Sequence, residues 1–114
     1  MTPMLKEEER TLDVYKQIGA YTRLCKTLLV HWLVHADKVQ TVKENEKLKK
    51  ALNVVVKTSS ELEAKMFREH AGLSPEYCHV FYGAVDGEPA RDAIDAEILE
   101  RIAGILKDLS SSQK

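Results

Sequence analysis

At 114 residues, 44% apolar and 31% charged, the chain is long enough for one modest core and too apolar for disorder. A formal net charge of −1 leaves no global field favouring nucleic acid or an anionic membrane surface. Two cysteines, Cys25 and Cys78, make no disulfide framework, and no uncharged run approaches the ~20 residues of a membrane span.

The amino terminus lacks an apolar leader, so the chain reads as a single cytoplasmic domain with reduced thiols. Thr2-Pro3 offers a helix opening, followed by the acidic run Glu7, Glu8 and Glu9 that a helix start favours. The strongest pattern comes next. Val14, Ile18, Tyr21, Cys25, Leu28, Trp32, His35, Val39 and Val42 alternate in spacings of four and three. That rhythm predicts a helix whose apolar seam packs along its length against a partner helix. Leu29, Val30, Leu33 and Val34 widen the stripe, which makes this helix central and covered on more than one side.

No Gly or Pro occurs from Ala20 to Ala71. A single rod over residues 3–71 would be roughly 100 Å long and could not bury its own stripe, so a long hairpin is expected. The apolar rhythm slips across Lys43–Lys47 and resumes as Leu48, Leu52, Val55, Ser59, Leu62 and Met66. The reversal is therefore placed within 37–47, with Asp37, Thr41 and Asn45 as candidate caps. The alternative is 57–60, where Thr58/Glu61 and Ser60/Glu63 have capping-box spacing.

Gly72 sits where a left-handed residue would end the hairpin, and Ser74-Pro75 reopens a short helix over 75–83. Asp86-Gly87-Glu88-Pro89 reads as a turn. A last helix over 90–109 carries Ile94, Ile98, Ile102, Ile105 and Leu109 on one face, widened by Leu99 and Leu106. The tail from Ser110 is polar and expected to fray. The fold class is all-α: a long hairpin plus two shorter carboxy-terminal helices, packed as a bundle and completed by self-association, a dimer being favoured.

Chemistry-bearing patterns are sparse. His31 and His35 lie one turn apart, but the residue after His31 is Trp32 and not the glutamate a zinc protease requires. His35 is expected as a hydrogen-bonded core residue. Glu76-Tyr77-Cys78-His79 has the spacing of a di-iron carboxylate motif but lacks the second motif such a bundle needs. Adjacent Cys78 and His79 point about 100° apart on a helix, which disfavours a nucleophilic dyad. Lys38, Lys43, Lys47, Lys49, Lys50 and Lys57 are interleaved with glutamates and include no Arg, as on a solvated helix face.

There is no phosphate-binding glycine loop, nucleophile elbow or pair of zinc-type CxxC motifs. No catalytic residue and no cofactor is assigned. The leading expectation is a helical protein–protein interaction module, such as an adaptor, assembly factor or regulatory subunit. A metal- or cofactor-binding bundle using Cys25, His31, His35, Cys78 or His79 is the alternative, and a nucleic-acid accessory protein is a weaker one.

Overall fold

The computed structural model of the chain describes residues 4–84 and 88–112. Three α-helices carry the architecture: α1 over Leu12–His35, α2 over Val42–Glu69 and α3 over Ala93–Ser112. Short 3-10 segments occupy Glu7–Glu9, Ala36–Lys38 and Pro75–Val80, and the described residues contain no strand. Helix α1 is central, touching α2, α3 and the 75–80 segment. The expected all-helical hairpin with shorter carboxy-terminal helices is what the chain forms.

Local chemistry sets the boundaries. The first helix starts at Leu12 and not at residue 3, because Thr11 is extended and its hydroxyl accepts from the Val14 N–H. Glu7–Glu9 form only a 3-10 turn, and the Thr2-Pro3 opening lies outside the described residues. The reversal falls at 36–41, inside the first of the two expected intervals. Thr41 closes it with a reciprocal box: the Glu44 N–H donates to the Thr41 hydroxyl, and the Thr41 N–H donates to the Glu44 carboxylate.

The alternative break at 57–60 does not occur. Ser59 is fully buried inside α2, where its hydroxyl donates to the Val55 carbonyl and so loses its appetite for a cap. Gly72 has φ +85°, the left-handed conformation expected after the hairpin. Ser74 and Pro75 then open a segment that is 3-10 and stops at Val80, shorter than the 75–83 helix expected. The proposed turn at 86–89 lies largely outside the described residues. Asp92 caps α3 by accepting from the Asp95 N–H, and α3 continues through Ser112, past the expected end at 109.

Helix α2 buries Leu48, Ser59 and Met66 along the stripe read from its sequence, and α3 buries Ile98 and Ile105. The core joins Met66, Ile98 and Ile105 of these to Tyr15, Ala20, Val80 and Phe81. The seam of α1 is not in it. Helix α1 turns inward a different stripe, Leu12, Tyr15, Gly19, Ala20 and Arg23, nearly opposite the predicted one at ~100° per residue. Small residues decide this phase. A Cβ on Gly19 would lie 2.3 Å from the Val80 carbonyl oxygen, so the 75–80 segment can only rest on α1 where no side chain intervenes.

Arg23 and Asp95 are the polar element of this core, 5% and 0% exposed. Arg23 Nη2 donates to Asp95 Oδ1 at 2.8 Å and to the Ala84 carbonyl at 3.1 Å, while Nη1 donates to the His79 carbonyl at 2.8 Å. Asp95 also accepts from the Arg91 and Ala84 N–H groups. A second polar cluster ties the hairpin's open end. The Tyr15 hydroxyl donates to Glu69, Arg10 pairs with Glu69 at 2.9 Å, and His70 bonds the Arg10 carbonyl. Burial first, and then the Glu69 carboxylate, push the Tyr15 phenol up to about 12.

Gly19→Ala should destabilise the fold by about 1–3 kcal/mol despite alanine's better helix propensity, because the contact it strains is backbone. A lowered urea midpoint with unchanged slope checks this. For Asp95, burial raises the carboxyl pKa, but the Arg91 and Ala84 N–H groups and the Arg23 guanidinium together hold it below the ordinary value. Its stabilising contribution is therefore complete above the unfolded value of ~3.9 and lost as pH falls through the depressed folded value. Asp95→Asn should cost about 3–5 kcal/mol at neutral pH, since Arg23 is left buried without its counter-charge, and should flatten the acid limb below pH ~4. Denaturant melts across pH 2–7 would read both.

Candidate functional site

With the inward stripe of α1 assigned to the core, the predicted seam becomes a surface. Ile18 is 41% exposed, Tyr21 53%, Leu28 57% and Trp32 55%, and Cys25 is exposed between them. Val14 is half-buried and His35 is exposed, so His35 is not the core residue the spacing suggested. Val39 and Val42 leave the stripe, because Val39 belongs to the reversal and Val42 is the first residue of α2. Both are open to solvent.

The exposed face carries no formal charge. The four charged residues of α1 are Asp13, Lys16, Arg23 and Lys26, and all project from the other half of the helix at ~100° per residue. There they meet Arg101, Glu97, Asp95 and the Phe81 carbonyl. At the hairpin tip the Trp32 indole N–H donates to Gln40 Oε1 at 2.6 Å, and Gln40 in turn donates to Asn45 at 2.9 Å. The indole's polar edge is thereby satisfied within the chain while its ring remains half open. Such a ring is pre-set as an apolar contact.

Two clefts flank this helix. One, of about 540 Å³, lies between α1 and the 81–84 loop and is lined by Lys26, His31, Phe81, Tyr82 and Arg91. The other, of about 390 Å³, lies between α1 and α3 and is walled by Leu24, Leu28, Leu99, Ile102 and Leu106. Arg23, Thr27, His31 and Ala84 line both. The Lys26 ammonium donates to the Phe81 carbonyl at 2.7 Å and sits 4.2 Å from the Tyr82 ring centroid. Burial, its largest influence, and the neighbouring Arg23 charge lower the Lys26 pKa, with the Glu63 carboxylate opposing them.

The candidate metal ligands are dispersed. His31 and His35 are exposed on α1, and His79 is engaged by the Asp92 carboxylate. Among the described residues no group of three or more His, Cys, Asp or Glu side chains is placed to hold a metal ion. Burial pushes the Cys78 thiol up, with the Glu63 and Asp92 charges adding to it, an environment that disfavours a thiolate nucleophile. Lys38, Lys43, Lys47, Lys49, Lys50 and Lys57 are all exposed, as expected of a solvated face. No helix among the described residues is long and apolar enough to cross a membrane.

Nothing in the spacing of the chain marks Arg23, Asp95, Lys26 or Arg91 as functional. Arg23 alone leaves a trace, as a charge within the i, i+3, i+4 series Gly19, Ala20, Arg23 and Leu24. No protein-family model matches the chain, and comparison with curated proteins and with solved structures gives no match either.

Proposed function

We propose that the chain is a non-catalytic helical interaction module, an adaptor, assembly factor or regulatory subunit, that joins a second copy of itself through the outer face of α1. The observation carrying this reading is the contiguous, charge-free apolar face formed by Ile18, Tyr21, Cys25, Leu28 and Trp32. Isolated exposed apolar residues are ordinary on protein surfaces, whereas a continuous stripe of them is characteristic of an interface.

Its four largest side chains leave on the order of 400 Å² open, about half of the ~800 Å² each partner contributes to a standard interface. The exposed Val39 and Val42 at the tip, and Leu106 across the cleft from Leu28, extend the apolar surface. A second copy is the natural occupant because a two-fold contact sets each patch against itself, and this patch carries no charge to repel its twin. The three-four spacing supplies the interdigitation that helix pairs use.

Light-scattering mass of the native protein should give twice 12.9 kDa at micromolar concentration. Trp32→Asp and Tyr21→Asp should each return the mass to 12.9 kDa while the helical circular dichroism is retained, since both side chains are half exposed in the single chain. A wild-type protein that stays monomeric, or a Trp32→Asp protein that stays dimeric, would overturn the reading.

A further inference from the structure

We infer that the two adjoining clefts form one binding site for a small anionic amphiphile. Its carboxylate or phosphate head sits among Arg91, Lys26 and His31, and its aliphatic tail lies between α1 and α3. Nothing in the interaction reading requires this site. It rests on the distribution of charge and of apolar surface between the clefts.

The first cleft holds cations in excess. Arg23 is already neutralised by Asp95, and its two terminal nitrogens donate to Asp95, Ala84 and His79. Lys26 and Arg91 are not neutralised in this way: neither makes an ion pair among the described residues, Glu63 acts on Lys26 only from outside the cleft lining, and no described carboxylate lines either cleft. An ammonium has three donors, and Lys26 spends one on the Phe81 carbonyl. Part-buried, and with Glu63 acting on it only through space and not as an ion pair, it gains more from an incoming anion than an exposed lysine would. Arg91 is exposed at the cleft rim and offers a planar fork suited to carboxylate or phosphate oxygens.

The second cleft has the opposite character. Apart from the residues it shares with the first, every side chain lining it is aliphatic. A purely polar anion would leave those walls facing water, and a purely apolar ligand would leave Lys26 and Arg91 unanswered. Thr27, with a short side chain, stands at the junction where both clefts meet. The volumes of about 540 and 390 Å³ each fall within the ~300–1,000 Å³ range of small-molecule sites.

Calorimetric titration of the full chain, with each probe below its micelle concentration, tests the inference. Decanoate and decyl phosphate should bind, while decanol and inorganic phosphate should bind at least about ten-fold more weakly than either, since each lacks half the contacts. Arg91→Glu should weaken decanoate by about ten-fold or more, and Leu106→Ser should weaken it while leaving any residual phosphate binding unchanged. Should Arg91→Glu fail to fold, Arg91→Gln carries the same comparison. Binding of either decyl probe with these dependences supports the site, and a preference between them assigns the head group. Absence of binding, decanol matching decanoate, phosphate matching decyl phosphate, or wild-type affinity in both variants would overturn it. Repeating the titration on Trp32→Asp separates this result from the fate of the dimer reading, since Trp32 lines neither cleft.

Discussion

The buried pair between Arg23 and Asp95 is the constraint from which the rest of the arrangement follows. It joins the middle of α1 to the first turn of α3, and its spare donors and acceptors also fasten the backbone at His79, Ala84 and Arg91. Burying two charges is expensive, and the pair is tolerable because both Asp95 oxygens accept hydrogen bonds and both terminal nitrogens of Arg23 donate them. A polar knot bonded this widely also admits few alternative packings, so it fixes register where apolar contacts alone would permit sliding. Even the loop above it is shaped by the pair. A Cβ at Gly83 would meet Asp95 Oδ1 at 2.2 Å and the Arg23 guanidinium at 2.6 Å, so the loop can cross there only as glycine.

This constraint also explains why α1 presents its larger apolar residues outward. The inward stripe must bring Arg23 to Asp95 and let the 75–80 segment lie against Gly19 and Ala20, so it is built from small and polar residues as much as from apolar ones. The bulky stripe of Ile18, Tyr21, Leu28 and Trp32 is then left on the far side. A helix apolar on two opposed faces is covered twice in a finished assembly. Within a single chain, only one of those coverings is supplied.

Most of the fold was legible in the sequence because local signals and tertiary packing agree. Thr41 as a cap, Gly72, Ser74-Pro75 and the Leu48–Met66 stripe are each local preferences that the packing of the hairpin also favours. Which face of α1 the single chain buries was not legible, because periodicity weighs side chains by hydrophobicity and cannot register a contact made possible by a missing one. Gly19 is such a contact, and Arg23 a charge that becomes a core residue only when Asp95, 72 positions away, is brought beside it. The start of α1 at Leu12 rests on the Thr11 cap, which local sequence does not rank above other cap-forming residues. The cationic cleft was invisible for a further reason. Lys26, Tyr82 and Arg91 come from separate segments, and no spacing rule links residues that only the tertiary fold assembles.

The surface of α1 divides by angle rather than by length. Ile18, Tyr21, Cys25 and Trp32 belong to the outer face, while Arg23, Thr27 and His31 point toward the clefts. Leu28 belongs to both, as a member of the apolar stripe and a wall of the cleft against α3. An occupant of that cleft and a helix laid on the outer face would therefore meet at Leu28 and at Leu106 across from it. These two form the shared edge, with Tyr21 and Trp32 answering to the outer face alone and Lys26 and Arg91 to the cationic cleft alone. The same helix that is pinned by a buried ion pair thus offers two chemically distinct surfaces, one uncharged and continuous, the other cationic and recessed. Their separation is set by the helical turn itself, since a charge on one side of α1 lies more than a quarter-turn from the centre of the other.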